Sequence, residues 1–181
     1  MSLNEWFERG KSKDEYMAGL DKHRDAFTHI YENFNVPEED KATLTNEKEL
    51  RVLVLAEPWC GHCMLDIPIL LKICEEANIP HRFLNRDENL DVMDQYLTNE
   101  KRIIPIFIFI DKDGNEVAKW GPWAPEIKAF VDTLKQDLPA KSDPQYDEAF
   151  QSYIGEIGST FRSNESFWKY VYDDVKKTIY A

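Results

Sequence analysis

Trp59-Cys60-Gly61-His62-Cys63 is the stretch that decides the reading of this chain. It follows an apolar run, Val52-Leu53-Val54-Leu55-Ala56, and precedes a helical pattern. Two cysteines separated by two residues at a strand-to-helix junction read as a redox pair. A thiol at a helix N-terminus faces unpaired backbone N–H groups and the positive end of the helix dipole. Both favour the thiolate, which is the nucleophile. Cys60, just before the first turn, is expected to be the exposed, attacking thiol. Cys63, about one turn on, is expected to face inward and resolve. Gly61 allows a tight turn, and His62 is expected to place a positive charge or a hydrogen bond beside the Cys60 sulfur.

Outward from the motif, Pro68 lies inside the helical pattern, and Ile104-Pro105 opens the apolar run Ile106-Phe107-Ile108-Phe109-Ile110. Asp111-Lys112-Asp113-Gly114-Asn115 reads as a hairpin turn into a strand ending at Trp120. An EF-hand loop needs Gly at its sixth position and Glu at its twelfth; here Gly is fourth and Pro122 stands twelfth, so the hairpin prevails.

These residues together resemble the thioredoxin superfamily, with the motif in the version typical of protein disulfide isomerase domains. The resemblance covers residues 45–138. It implies an α/β, thioredoxin-like fold: a central mixed sheet of four or five strands flanked by helices, with additional N- and C-terminal helices. The expected organisation is a helical extension over residues 1–44, the thioredoxin-like domain over 45–138, and a second helical extension over 139–181. The resemblance makes Pro105 a cis-proline and gives Ile104 and Pro105 the role of binding the substrate backbone. Trp59 is expected to flank the site, with Trp120 and Trp123 near it or in the core. Three positions depart from the pattern. Val54 stands where relatives carry a buried acid that helps to deprotonate the resolving thiol, with Glu57 read either as its substitute or as a solvated loop acid. Met64 replaces a basic residue, and Ile106 follows the cis-proline where Thr is common.

Composition bounds the rest. The chain has 181 residues, 43% of them hydrophobic, and carries a formal net charge of −12. It is long enough for one substantial core, and its acidity argues against nucleic acid and anionic membrane surfaces as partners. No apolar run approaches the roughly 20 residues of a membrane span. Met1 to Trp6 has no basic and apolar leader pattern, so a cytoplasmic location is expected. Of three cysteines, Cys74 lies on the apolar stripe after the motif and reads as a buried small residue. The Asn164-Glu165-Ser166 sequon carries no meaning without a secretory route.

The flanks read as helices. Ser2-x-x-Glu5 and Ser12-x-x-Glu15 look like capping boxes. The first starts a short helix ending at Gly10. The second starts one long helix, with Tyr16, Leu20, Phe27, Ile30, Tyr31 and Phe34 on its stripe and His23 beside them as a packing histidine. A short helix or edge strand is expected near Ala42 to Asn46, and a short helix over Asp91 to Thr98. A helix from Asp143-Pro144 is expected to stop at Gly158, and a last one to start at Ser163.

The function implied is thiol–disulfide oxidoreduction, with Cys60 as nucleophile and Cys63 resolving. The redox-active disulfide serves as the only cofactor, and no metal is expected, because a closed zinc site wants four ligands. No G-x-G-x-x-G fingerprint is present, so a separate reductase or thiol pool must recycle the pair. The expected substrate is a disulfide-containing protein or a low-molecular-weight thiol, and the expected state a monomer or weak dimer. The alternative is a thioredoxin-like binding or redox-sensing module whose flanking helices hold a partner protein.

Overall fold

The computed structural model describes residues 1–181. Four strands form the sheet: β1 Arg51–Ala56, β2 His81–Asn85, β3 Ile106–Ile110 and β4 Glu116–Trp120, in the order β2-β1-β3-β4. β1 runs parallel to β2 and antiparallel to β3, and β4 closes the edge antiparallel to β3. The central strands β1 and β3 are buried along nearly their whole length, which is why they read as unbroken apolar runs. β4 shows water Glu116, Val117 and Lys119, as an edge strand does. The fold is thus α/β and mixed, as the sequence implied, with four strands.

Eight helices surround the sheet. At the N-terminus, α1 (Leu3–Arg9) and α2 (Lys13–Ala18) each start with a complete capping box. The Ser2 hydroxyl accepts the Glu5 N–H at 3.3 Å while the Glu5 carboxylate accepts the Ser2 N–H at 2.6 Å, and Ser12 and Glu15 repeat the exchange. The single long helix expected from Ser12 does not form. α2 stops at Ala18, and α3 (Arg24–Asn33) begins after a turn. At the break Gly19 packs against Pro58, where a Cβ would stand 3.2 Å from the ring. The break brings Tyr16 and His23 to the same loop. The Tyr16 hydroxyl donates to the Glu57 carbonyl at 3.2 Å, and His23 Nε2 donates to the Trp59 carbonyl at 3.0 Å.

α4 (Gly61–Ala77) follows β1 directly and carries Pro68 inside it. It is buried on almost every side, against α3, α7 (Tyr146–Ser163) and α8 (Glu165–Tyr180). Other expectations are corrected. Residues 37–49 hold one 3-10 turn, Glu38–Asp40, and no edge strand. α5 is only Leu90–Met93, and further on the chain turns back at Asn99 and Glu100, both at positive φ, to pair Thr98 with Lys101. α6 (Pro125–Gln136) is where the periodicity put it. α7 passes through Gly155 and Gly158 and ends at Ser163, where the Asn164 side chain caps α8 by accepting the Ser166 N–H at 3.0 Å. Each glycine costs a helix only about 1 kcal/mol, and the packing of α7 on α3 and α6 outweighs that.

One core of 48 buried residues runs from Trp6 to Ile179, so the terminal helices share it with the sheet. Tyr16 stacks on Phe83 with centroids 4.7 Å apart, and Phe34 meets Tyr172 at 5.6 Å. No helix is long and apolar enough to cross a membrane.

Candidate active site

The site forms where β1 ends and α4 begins. Cys60 is the N-cap of α4, in extended backbone conformation, and its sulfur accepts the Cys63 N–H at 3.2 Å. Side chains that accept at this position satisfy one of the helix's orphan donors, and a thiolate does so as an anion. The hydrogen bond from the Cys63 thiol, the N–H groups of Cys63 and His62 and the guanidinium of Arg86 hold the Cys60 thiol below its ordinary range, against the opposing effect of burial. Cys63 is wholly enclosed, and burial, then the hydrogen bond to Cys60 and its charge, push its thiol well above the usual range. The two cysteines are close (2.9 Å) and not bonded to each other. Their unequal thiols divide the labour: one ionises readily, the other keeps its proton. Cys60 is less open than the sequence led us to expect. It is 7% exposed, because the Ile104 carbonyl lies 3.7 Å from its sulfur and covers it.

Ile104 and Pro105 therefore sit at the dithiol, both buried, and their peptide bond is cis. The loop is held from behind by Gly121, at φ +120, where a Cβ would stand 2.3 Å from the Pro105 carbonyl oxygen. Trp59 is half exposed at the rim, under the Arg86 guanidinium at 4.9 Å. Arg86 is itself fixed by donating to the Arg102 carbonyl at 3.0 Å.

His62 corrects a sequence expectation. Its ring packs 5.3 Å from Phe161 and 5.7 Å from Trp123, and its Nδ1 is enclosed with no hydrogen-bond partner. Burial lowers its pKa to about 4, so at neutral pH it is uncharged. The cation beside Cys60 is Arg86, delivered by the 3-10 turn after β2. Trp120 lies deeper, stacked 4.8 Å on Phe107, with its indole N–H donating to Asp174 at 2.7 Å.

Glu57 is buried, with its carboxylate engaged elsewhere. It accepts the Asn85 amide at 3.1 Å and the Asp87 N–H at 2.9 Å, anchoring the turn that carries Arg86. Val54, at the strand position that relatives fill with an acid, is fully buried and apolar. The free buried carboxyl near the dithiol is one the sequence reading passed over, Asp66 on α4. It is 0% exposed, and neither oxygen has a partner. Burial first, then the charges of Cys60 and Asp174, push its carboxyl well above the usual carboxylate range. The available signal was an acid one turn after Cys63 among Leu65, Ile67 and Ile69.

A cavity of about 240 Å³ opens beside the motif, with Trp59, Gly61 and His62 on one wall and Tyr153, Ile157 and Phe161 of α7 on the other. A larger, open polar depression of about 650 Å³, lined by Arg51 and Asn78, lies at the opposite end of β1 and away from the chemistry. Cys74 is buried and unpaired, its thiol pushed up mainly by burial.

No curated protein matches the chain. Among solved structures, a protein of unknown function from Pseudomonas aeruginosa superimposes with a TM-score of 0.64 at 20% identity, covering 98% of each chain. An HIV epitope-scaffold gives a TM-score of 0.62 at 18% identity, covering 94% of this chain and 98% of its own. At these identities the likeness speaks to the fold alone. The sequence profile of the thioredoxin family matches residues 10–135, and on that extent the chain belongs to the thioredoxin family.

Proposed function

We propose that the protein is a thiol–disulfide oxidoreductase that exchanges disulfides through Cys60 and Cys63. The observation that carries this is the pairing at the start of α4. One sulfur accepts a backbone N–H at a helix N-terminus, with its thiol lowered below the ordinary range, and a second, fully buried thiol lies one turn behind it. The Cys60 thiolate attacks a substrate disulfide and forms a mixed disulfide, and Cys63 then attacks Cys60 and releases the reduced substrate. Ile104 and Pro105 border the sulfur where the substrate backbone would lie. The uncharged His62 adds nothing to the stabilisation that Arg86 and the helix N-terminus give the reduced thiolate, and we take reduction of the substrate as the direction to test. In that direction the substrate is a disulfide-bearing protein or small molecule in a reducing, cytoplasmic compartment, and a separate reductase or thiol pool restores the dithiol.

The test is trapping. The Cys63→Ser variant should accumulate a mixed disulfide at Cys60 with a disulfide-containing protein, visible by mass spectrometry and reversed by dithiothreitol. The Cys60→Ser variant should form none. A wild-type protein that folds but reduces no disulfide would leave the binding-module reading in place. The wall that α7 adds to the active-site cavity supports that second reading.

A further inference from the structure

We infer that the cavity beside the motif binds an aromatic side chain next to the disulfide cysteine of a protein substrate, and so selects which disulfides Cys60 reaches. The inference rests on the dithiol exchange proposed above. The cavity adjoins the chemistry: Trp59 and Gly61, the residues on either side of Cys60, stand on one wall. The facing wall is α7, with Tyr153, Ile157 and Phe161. α7 begins at Tyr146, so this wall lies outside the residues 10–135 that carry the family match. The space between the walls leaves apolar surface unburied, with Trp59 and Ile154 both exposed. Apolar surface gathered at a concave site marks a place for a partner group.

Size and polarity select the occupant. An apolar cavity of about 150 Å³ holds benzene, and pockets for whole drug-sized ligands start near about 300 Å³. At about 240 Å³ this cavity takes one phenyl or phenol ring together with the bond that carries it. Walls that include Trp59, Tyr153 and Phe161 offer such a ring offset or edge-to-face contacts. Polar groups of the lining are free for the peptide backbone. Of the His62 ring nitrogens only Nδ1 is closed off, which leaves Nε2 to meet a backbone group of the substrate. Lys22 is the one charged side chain of the lining, in a chain of net charge −12, so this site does not repel an acidic peptide. Cys60 is covered by the Ile104 carbonyl, so a disulfide must be held in place before the sulfur can attack it. A ring seated in the cavity does that holding, and orientation of this kind raises the rate.

The experiment mixes reduced protein with an excess of either of two symmetric peptide disulfides, built from acetyl-Phe-Cys-Phe-amide or from acetyl-Ala-Cys-Ala-amide. Released peptide thiol is read by chromatography after acid quench. Each turnover reduces one peptide disulfide to two thiols and oxidises the dithiol to the Cys60–Cys63 disulfide. Rings on both sides of the cysteine make the result independent of the direction in which the peptide lies. Wild type should reduce the phenylalanine peptide with a second-order rate constant at least about tenfold higher, the low end of what an apolar pocket discriminates. Gly158 lines the cavity, and a Cβ there meets nothing within 4 Å, so Gly158→Leu fills the space without a clash. In that variant the preference should fall to within about twofold of none, because a filled pocket no longer tells a ring from a methyl group. Gly155→Leu, equally open on the same helix but off the cavity, should keep the wild-type preference. Equal rates on the two peptides in wild type, or a preference that survives Gly158→Leu, overturn the cavity's role and leave the exchange reading standing. A concentration-dependent dimer that Gly158→Leu abolishes makes a second copy the occupant and overturns it likewise. Absence of thiol release from both peptides overturns the exchange reading and this inference together.

Discussion

Replacing His62 by Phe should make the protein less sensitive to acid. The imidazole is neutral in the native site, with Nδ1 enclosed and the ring between Trp123 and Phe161. Its pKa is about 4 folded, against 6.5 for an unhindered histidine. A lowered pKa on a base means that the unfolded chain binds more protons, so stability rises with pH across this window and is lost as pH falls from 6.5 towards 4. At 1.36 kcal/mol per unit, the whole shift corresponds to about 3 kcal/mol. Between pH 8 and pH 5 the linkage relation removes about 2 kcal/mol of it. The ring edge that lines the cavity meets water, so the measured value should fall at or slightly below this figure. His23 and His81 are also shifted down by burial, but they are present in both proteins and cancel in the comparison. The assay is urea unfolding of reduced wild type and His62→Phe at pH 8 and pH 5. Wild type should lose about 2 kcal/mol more than the variant on acidification. A difference below about 0.5 kcal/mol would show that His62 is solvated and free to ionise, and would restore it as a cation beside Cys60.

Two further expectations concern the surroundings of the dithiol. Gly121→Ala puts a methyl group 2.3 Å from the Pro105 carbonyl oxygen, in a backbone conformation that Cβ-bearing residues avoid. It should displace the loop beside Cys60 and lower the rate of disulfide reduction by about tenfold or more, the scale of an ångström misplacement, with thermal stability falling as well. Arg86→Gln removes the cation that favours the Cys60 thiolate. The pH at which Cys60 reacts with iodoacetamide should rise, while the same profile in His62→Phe should not move upward.

The strands were plain in the sequence because burial on both faces leaves only apolar residues from Val52 to Ala56 of β1 and throughout β3. The motif was equally plain, since the N-cap position of Cys60 follows from the strand-to-helix junction. What local pattern could not show was long-range packing. The stripe Tyr16, Leu20, Phe27 and Ile30 continues across the break between α2 and α3, where Gly19 lies against Pro58, far along the chain. The charge of His62 depends on Phe161 of α7 and on Trp123. The carboxylate of Glu57 looked free because Asn85 and the Asp87 amide reach it only in the folded sheet. Asp66 was overlooked for a related reason: one acid in an apolar helix reads as a solvent-facing residue until α8 is placed over it.

The most direct test of dithiol exchange is the equilibrium of the reduced protein with graded glutathione buffers, read by mass spectrometry of alkylated thiols. We predict one reversible disulfide, Cys60–Cys63, with Cys74 free throughout. Its potential should lie nearer the thioredoxin value of about −270 mV than the disulfide isomerase value of about −180 mV. A dithiol that stays reduced, or that pairs elsewhere, at every ratio would contradict the account.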